Sequence, residues 1–200
     1  MHLVDVVLFA HILIAICAFA IATVLHVGQL VARGATSTAT LKAWNPVNHR
    51  VEPLFPILAL VLFALGAWLI GLSDGEFAWS DGWVITAAVG LGAMEAVGGA
   101  VLAPRGKKAY EAVAAAADGP VDPTLRAIVV DRAAFGAAFF ETTTALGILF
   151  LMATKPSAAA SVAIVVVCAV AGAVLGSALA RPGVTVSAGF PSAAAAAEGE

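Results

Sequence analysis

Two acidic residues stand in apolar surroundings where a charge needs a reason. Glu95 lies inside Gly90-Leu91-Gly92-Ala93-Met94-Glu95-Ala96-Val97-Gly98-Gly99, and Glu141 precedes Thr142, Thr143 and Thr144 in another apolar run. Ionisable groups in a hydrocarbon layer are costly, and where they occur they mark proton or ion pathways. At about 1.5 Å per helical residue, Glu95 falls roughly 4 Å from the middle of its run, and Glu141 within about 2 Å of the middle of the next. Two carboxyls at one depth on consecutive helices are candidates for a shared proton site or cation site. Asp131, near the start of the run that holds Glu141, is a third candidate. It is expected to pair with an arginine or with His26, while Arg132 extends toward the headgroups. Gly90, Gly92, Gly98 and Gly99 remove side-chain bulk around Glu95 and are expected to pack against another helix. The structural alternative is that each glutamate is protonated and hydrogen-bonded across a helix interface, with the three threonines as partners.

The histidines offer different chemistry. His11 and His26 are fifteen positions apart on the first apolar run, which leaves them roughly 60° apart around a helix. Two histidines on one face invite haem b or metal ligation. A bis-histidine haem needs a second helix with ligands at matching depth, and besides His2 the remaining histidine is His49, in a loop. One haem between His26 and His49 is therefore the most the sequence allows. A metal site of His11, Glu95 and Glu141 is opposed by depth, since His11 lies about 10 Å from the acids along the helix axes. Cys17 and Cys168 both fall in apolar runs and read as small hydrophobes. There is no nucleophile elbow, phosphate loop, zinc spacing or arginine-rich voltage helix. No catalytic residues are expected, and the chain is read as a non-enzyme with no resident cofactor.

These residues must be positioned by helices in a bilayer. The chain has 200 residues, 62% of them hydrophobic and 12% charged, with a mean hydropathy of +1.00. Soluble domains are about 45–50% apolar and about 25% charged. A net charge of −3 gives no basic footprint for nucleic acid. Apolar runs over 6–31, 54–72, 82–103, 127–153 and 158–180 are each long enough to cross a hydrocarbon core as a helix. None alternates as barrel strands do. The fold class is therefore all-α, an integral membrane bundle of about five transmembrane helices over residues 1–181, with an Ala/Gly/Ser-rich tail over 182–200. The first run lacks a basic leader and a cleavage site before a soluble domain, so it is read as a permanent span.

Punctuation between the runs is expected at Asn45-Pro46, a turn, at Pro104, closing the third helix, and at Asp122-Pro123, an N-cap with proline in the first turn. Lys107 to Ala117 is expected to form a short surface helix. Arg33, Lys42, Arg50, Arg105, Lys107, Lys108 and Arg126 all fall in the first and third loops. The loop between spans two and three carries only Asp74, Glu76 and Asp81. The positive-inside rule then puts the N-terminus outside and the C-terminus in the cytoplasm, with Trp68, Trp79 and Trp83 in an outer aromatic belt.

Leu8-Phe9-Ala10-His11-Ile12-Leu13 resembles the start of small bacterial membrane families with an early histidine, such as the copper-resistance D-like proteins. The likeness covers the first helix. Those families follow the histidine with a Trp/Gly-Gly pattern, where this chain has Cys17-Ala18-Phe19-Ala20, so metal or haem binding is not carried over. The alanine-rich, lysine-poor usage suggests a bacterial plasma membrane. Small size, short outer loops and no catalytic set favour an accessory or scaffold subunit of a larger membrane complex, with the bilayer and other subunits or further copies as partners. The alternatives are a small proton- or cation-coupled transporter using Glu95 and Glu141, and a haem- or quinone-binding anchor.

Overall fold

The computed structural model describes residues 2–181. The described residues are all-helical, without a named strand. Helix α1 spans Leu3–Gly34, α2 Thr38–Val51, α3 Leu54–Gly71 and α4 Gly82–Val97. A π-helical turn, Gly98–Leu102, joins α4 to α5, Ala103–Ala115. After it come α6 (Pro123–Val129), α7 (Arg132–Thr154) and α8 (Ala158–Leu179). Five helical stretches are long and apolar enough to cross a membrane: Leu3–Gly34, Thr38–Gly71, Gly82–Ala115, Pro123–Thr154 and Ala158–Leu179.

The surface is inverted relative to a water-soluble bundle. Val167, Val170 and Val174 on α8, Leu60 and Ile57 on α3, and Phe9 and Ile16 on α1 are all more than half exposed. The most deeply buried side chains include Thr144 and Ser161. In a bilayer, where lipid is as apolar as leucine, burial of apolar area would not hold such helices together, and close backbone packing would. The α7–α8 pair shows it. A β-carbon on Gly172 or Gly176 would strike the carbonyls of Phe139 or Phe135 on α7, and one on Gly147 would meet Cys168 at 3.3 Å. This pair forms the most extensive helix interface in the chain. Helix α4 packs on both members, with Ala87 joining Ile148, Leu151 and Val165 in a buried cluster. Helix α1 packs along α3 and touches α7, whereas α3 and α4 barely meet.

At one end, α2, α5 and α6 build a small amphipathic cap. Ala35, Leu41, Val113 and Leu125 form its core. Its loops are stitched by backbone bonds: Thr38 N–H donates to Gly119 O (2.9 Å) and Val121 N–H to Thr36 O (3.0 Å). Arg126 donates to the Arg33 carbonyl at 2.7 Å and also to that of Ala35, closing the open C-terminal end of α1.

Two expected breaks fall differently, and one interruption lies where none was expected. Pro46 lies inside α2 instead of turning a loop. The helix persists because Ser37 caps its start, Thr38 and Leu41 are buried, and Asn45 donates to the Tyr110 carbonyl at 3.0 Å. Pro104 does not close the third helix either. The wide π turn just before it absorbs the lost donor and the ring, and α5 continues to Ala115. The fourth span is broken at Val130 (φ −111°, ψ 51°). There Asp131 becomes the N-cap of α7, accepting from Ala134 N–H at 2.8 Å. Asp122 caps α6 ahead of Pro123 as expected, accepting from Thr124 and Leu125 N–H.

Candidate functional site

Glu141 sits midway along α7, and its carboxylate reaches across to the π turn. A β-carbon built on Gly98 would stand 2.9 Å from Glu141 Oε1, so a glycine there is what leaves room for the carboxylate. π turns recur at functional sites because the widened ladder re-aims the residues around it. Glu95 lies one turn before that π turn on α4. Glu95 and Glu52 both lie within electrostatic reach of Glu141. Glu52 stands at the α2–α3 junction, where a β-carbon on Gly106 of α5 would come within 2.8 Å of its Oε2. Gly98 makes space for Glu141, and Gly106, eight positions further along the same stretch, makes space for Glu52.

The surrounding polar groups are sparse. His26 Nε2 and Thr142 Oγ1 share a hydrogen bond of 2.7 Å, and His26 Nδ1 lies 3.3 Å from Gln29 Oε1. Phe139 packs against the same imidazole, ring centres 4.5 Å apart. Thr143 donates back to Phe139 O at 2.8 Å, and Thr144 Oγ1 is buried without a partner. The threonines therefore do not satisfy the glutamates, and neither Glu95 nor Glu141 has a hydrogen-bond partner among the described residues. Asn48 Oδ1, also buried and unpaired, rests against Gly28.

Asp131 stands apart from the acids, bonded to Arg105 Nε at 3.1 Å and capping α7. Of its two expected partners it takes the arginine, and His26 goes to Thr142. His11 packs over Gly66, whose β-carbon would lie 3.4 Å from His11 Cε1, and its Nδ1 is buried without a partner. His49 stacks on Tyr110, ring centres 4.0 Å apart. His26 and His49 thus face different neighbours, with His26 Nε2 already engaged. Among the described residues no three His, Cys, Asp or Glu side chains converge as metal ligands. Of the four glycines around Glu95, Gly90 packs against Ile148 (3.1 Å) and Gly98 against Glu141, whereas Gly92 and Gly99 face open space.

No family model, curated protein or solved structure matches the chain. The site must therefore be read from its own chemistry.

Two cavities bear on that reading. The larger, about 440 Å³, opens between residues 76–83 and 155–158 at the end opposite the cap. Its charges already have partners, since Lys155 Nζ lies 3.9 Å from the Phe77 ring centre and 3.8 Å from Glu76. The smaller, about 360 Å³, is an apolar groove between α3 and α4 that ends on Glu95. It exists because α3 leans on α1 and leaves α4 to α7 and α8. Reasoning from the sequence paired Glu95 with Glu141 but missed Glu52, Asn48 and Gln29. The spacing of Gln29 three positions after His26 was the one local signal available for them.

Proposed function

We propose that the chain is a multi-pass protein of a bacterial plasma membrane that works as a small proton- or cation-coupled carrier, with Glu52, Glu95 and Glu141 as its exchange site. The proposed topology has the N-terminus outside and the α2–α5–α6 cap in the cytoplasm, supported by the basic residues gathered in that cap. The observation that carries the reading is a pair of carboxyls without hydrogen-bond partners, Glu95 and Glu141, beside a π turn inside an apolar bundle, with Glu52 within electrostatic reach of Glu141. Carboxyls in low dielectric without counter-charges cannot stay ionised, so protons or cations must neutralise them. An exchange of one for the other is the chemistry such a site performs. Asp131, tied to Arg105 and to its helix terminus, is assigned to the frame.

The carrier reading is tested by hydrophobic carbodiimide labelling of the full chain in lipid nanodiscs, mapped by mass spectrometry. Dicyclohexylcarbodiimide reacts with protonated carboxyls reached from lipid. The reading expects modification at Glu95 or Glu141 and a changed rate at one when the other is made Gln. Modification confined to the exposed acids of the loops would contradict it.

The accessory-subunit reading keeps one favouring observation. The Thr38–Gly71 stretch is the least covered of the spans, with 6% of its apolar window buried, which leaves a face for another subunit. Native-membrane isolation in mild detergent decides that question, because an accessory subunit returns with stoichiometric foreign chains.

A further inference from the structure

The groove between α3 and α4 follows one face of each helix. Ala59, Leu60 and Phe63 line it from α3, while Ala88, Leu91 and Gly92 line it from α4. Glu95, the next residue on that α4 face, closes it with the groove's one ionisable group. The walls are apolar and the floor is a carboxyl. The groove lies between two helices that barely meet, so it opens sideways to whatever surrounds the bundle, which in a bilayer is lipid.

Charge complementarity limits what such a groove holds. The occupant must be soluble in lipid along the groove and must bring a positive charge to its end. A second copy of the chain cannot supply it from the described residues. Every Lys and Arg lies in the cap helices α2, α5 and α6, near the end of a longer helix, or outside the helices, at positions 33, 42, 50, 105, 107, 108, 126, 132, 155 and 181. A bare metal ion or a proton would leave the apolar walls without a role. At about 360 Å³ the space is near the lower end of the roughly 300–1,000 Å³ range of small-molecule sites, which fits a short amphiphile and excludes a large polycyclic one.

We propose that the α3–α4 groove is a lateral binding site for small amphiphilic organic cations, an alkylammonium whose tail lies along α3 and α4 and whose charge meets Glu95. This rests on the carrier reading, and it names the substrate class of the same glutamate cluster. A cation at Glu95 replaces the proton that otherwise neutralises the carboxyl, and that proton leaves by way of Glu141, whose carboxyl lies at Gly98 one turn along. No covalent bond is made or broken in the exchange.

The test uses the full chain in phosphatidylcholine nanodiscs with a hexyltrimethylammonium probe carrying a diazirine at the end of its tail. The quaternary nitrogen keeps its charge at every pH. Light-driven labelling mapped by mass spectrometry is expected within 56–63 and 88–95. Excess hexyltrimethylammonium should compete, whereas 2,2-dimethyloctane, its neutral isostere, should not. Glu95→Gln should cut groove labelling at least about tenfold. Gly92→Leu should do the same with Glu95 intact, since nothing stands within 4 Å of its β-carbon and the rest of the side chain enters the groove; an unchanged circular dichroism spectrum checks that the fold is kept. Glu141→Gln should leave labelling in place while abolishing proton exchange. Labelling no denser in the groove than on the lipid faces of α1 and α8, or unchanged in both groove variants, overturns the proposal. If proton exchange at the cluster survives that result, the carrier reading stands without this substrate class. If exchange is absent as well, both fall.

Discussion

Adding one methyl group at either of two glycines should have opposite consequences, and the contrast tests how Glu141 is held. At Gly98 the new β-carbon would meet Glu141 Oε1 at 2.9 Å, where ordinary contact begins at 3.4 Å. The carboxylate must retreat by about 0.5 Å, which the soft terminal torsion of a glutamate allows. Alanine also recovers up to about 1 kcal/mol of helix propensity. Gly98→Ala should therefore stay within about 1 kcal/mol of the parent in stability while shifting the reactivity of the glutamate cluster. At Gly172 the same methyl would strike the Phe139 carbonyl and Thr143 Oγ1. Backbone cannot swing aside, so α7 and α8 must separate, an overpacking cost of about 1–3 kcal/mol. Reversible unfolding in mixed micelles, followed by circular dichroism, reads both values. Carbodiimide labelling of Gly98→Ala reads the cluster. Equal destabilisation by the two substitutions would refute the reasoning, because it would mean that Glu141 is fixed in place by its surroundings.

Three further outcomes follow from the same geometry. Asp131→Ala should lose both the N-cap of α7 and the Arg105 pair, costing about 0.5–2 kcal/mol. Asp131→Asn should keep the cap and lose under about 1 kcal/mol, since the ion pair is more than a third exposed. A double-mutant cycle between His26→Ala and Thr142→Val should return a coupling of about 0.6–2 kcal/mol for their 2.7 Å bond. No coupling would remove that bond from the account. The hydrogen bond from Lys42 to Asp118 holds that exposed carboxyl below its ordinary value of 3.8. A lowered native pKa contributes stability above the unfolded value, and the contribution is lost as pH falls through the native one. The stability difference between the parent and Asp118→Asn should therefore be present at neutral pH and shrink below about pH 4.

Long apolar runs were the part of the structure most legible in the sequence, because a bilayer demands a single property over about 20 residues. The five stretches correspond to five helices that composition alone marks out. Prolines were misleading, because their effect depends on neighbours distant in sequence. Pro46 is tolerated inside α2 because Asn45, Leu41 and Thr38 bind α2 to the rest of the cap. Pro104 is tolerated because a π turn precedes it. Depth counting set Glu95 and Glu141 at similar heights along their helices, since helix rise is fixed. It missed Glu52, whose carboxyl lies against Gly106 of α5 through tertiary packing alone. The glycines that hold α7 to α8 had a local signature in Gly172 and Gly176, four apart on one face. The partners of His26 and Asp131 did not, because Thr142 and Arg105 are brought to them by tertiary packing alone.

The most direct test of the central claim is difference infrared spectroscopy of the full chain in lipid nanodiscs, with carbon-13 in the glutamate carboxyls. The account predicts a protonated-carboxyl band that exchanges with deuterium, responds to pH while the chain stays folded, and is altered in both Glu95→Gln and Glu141→Gln. A band absent at every pH in that range, or one that both substitutions leave unchanged, would contradict an exchange site built from Glu52, Glu95 and Glu141.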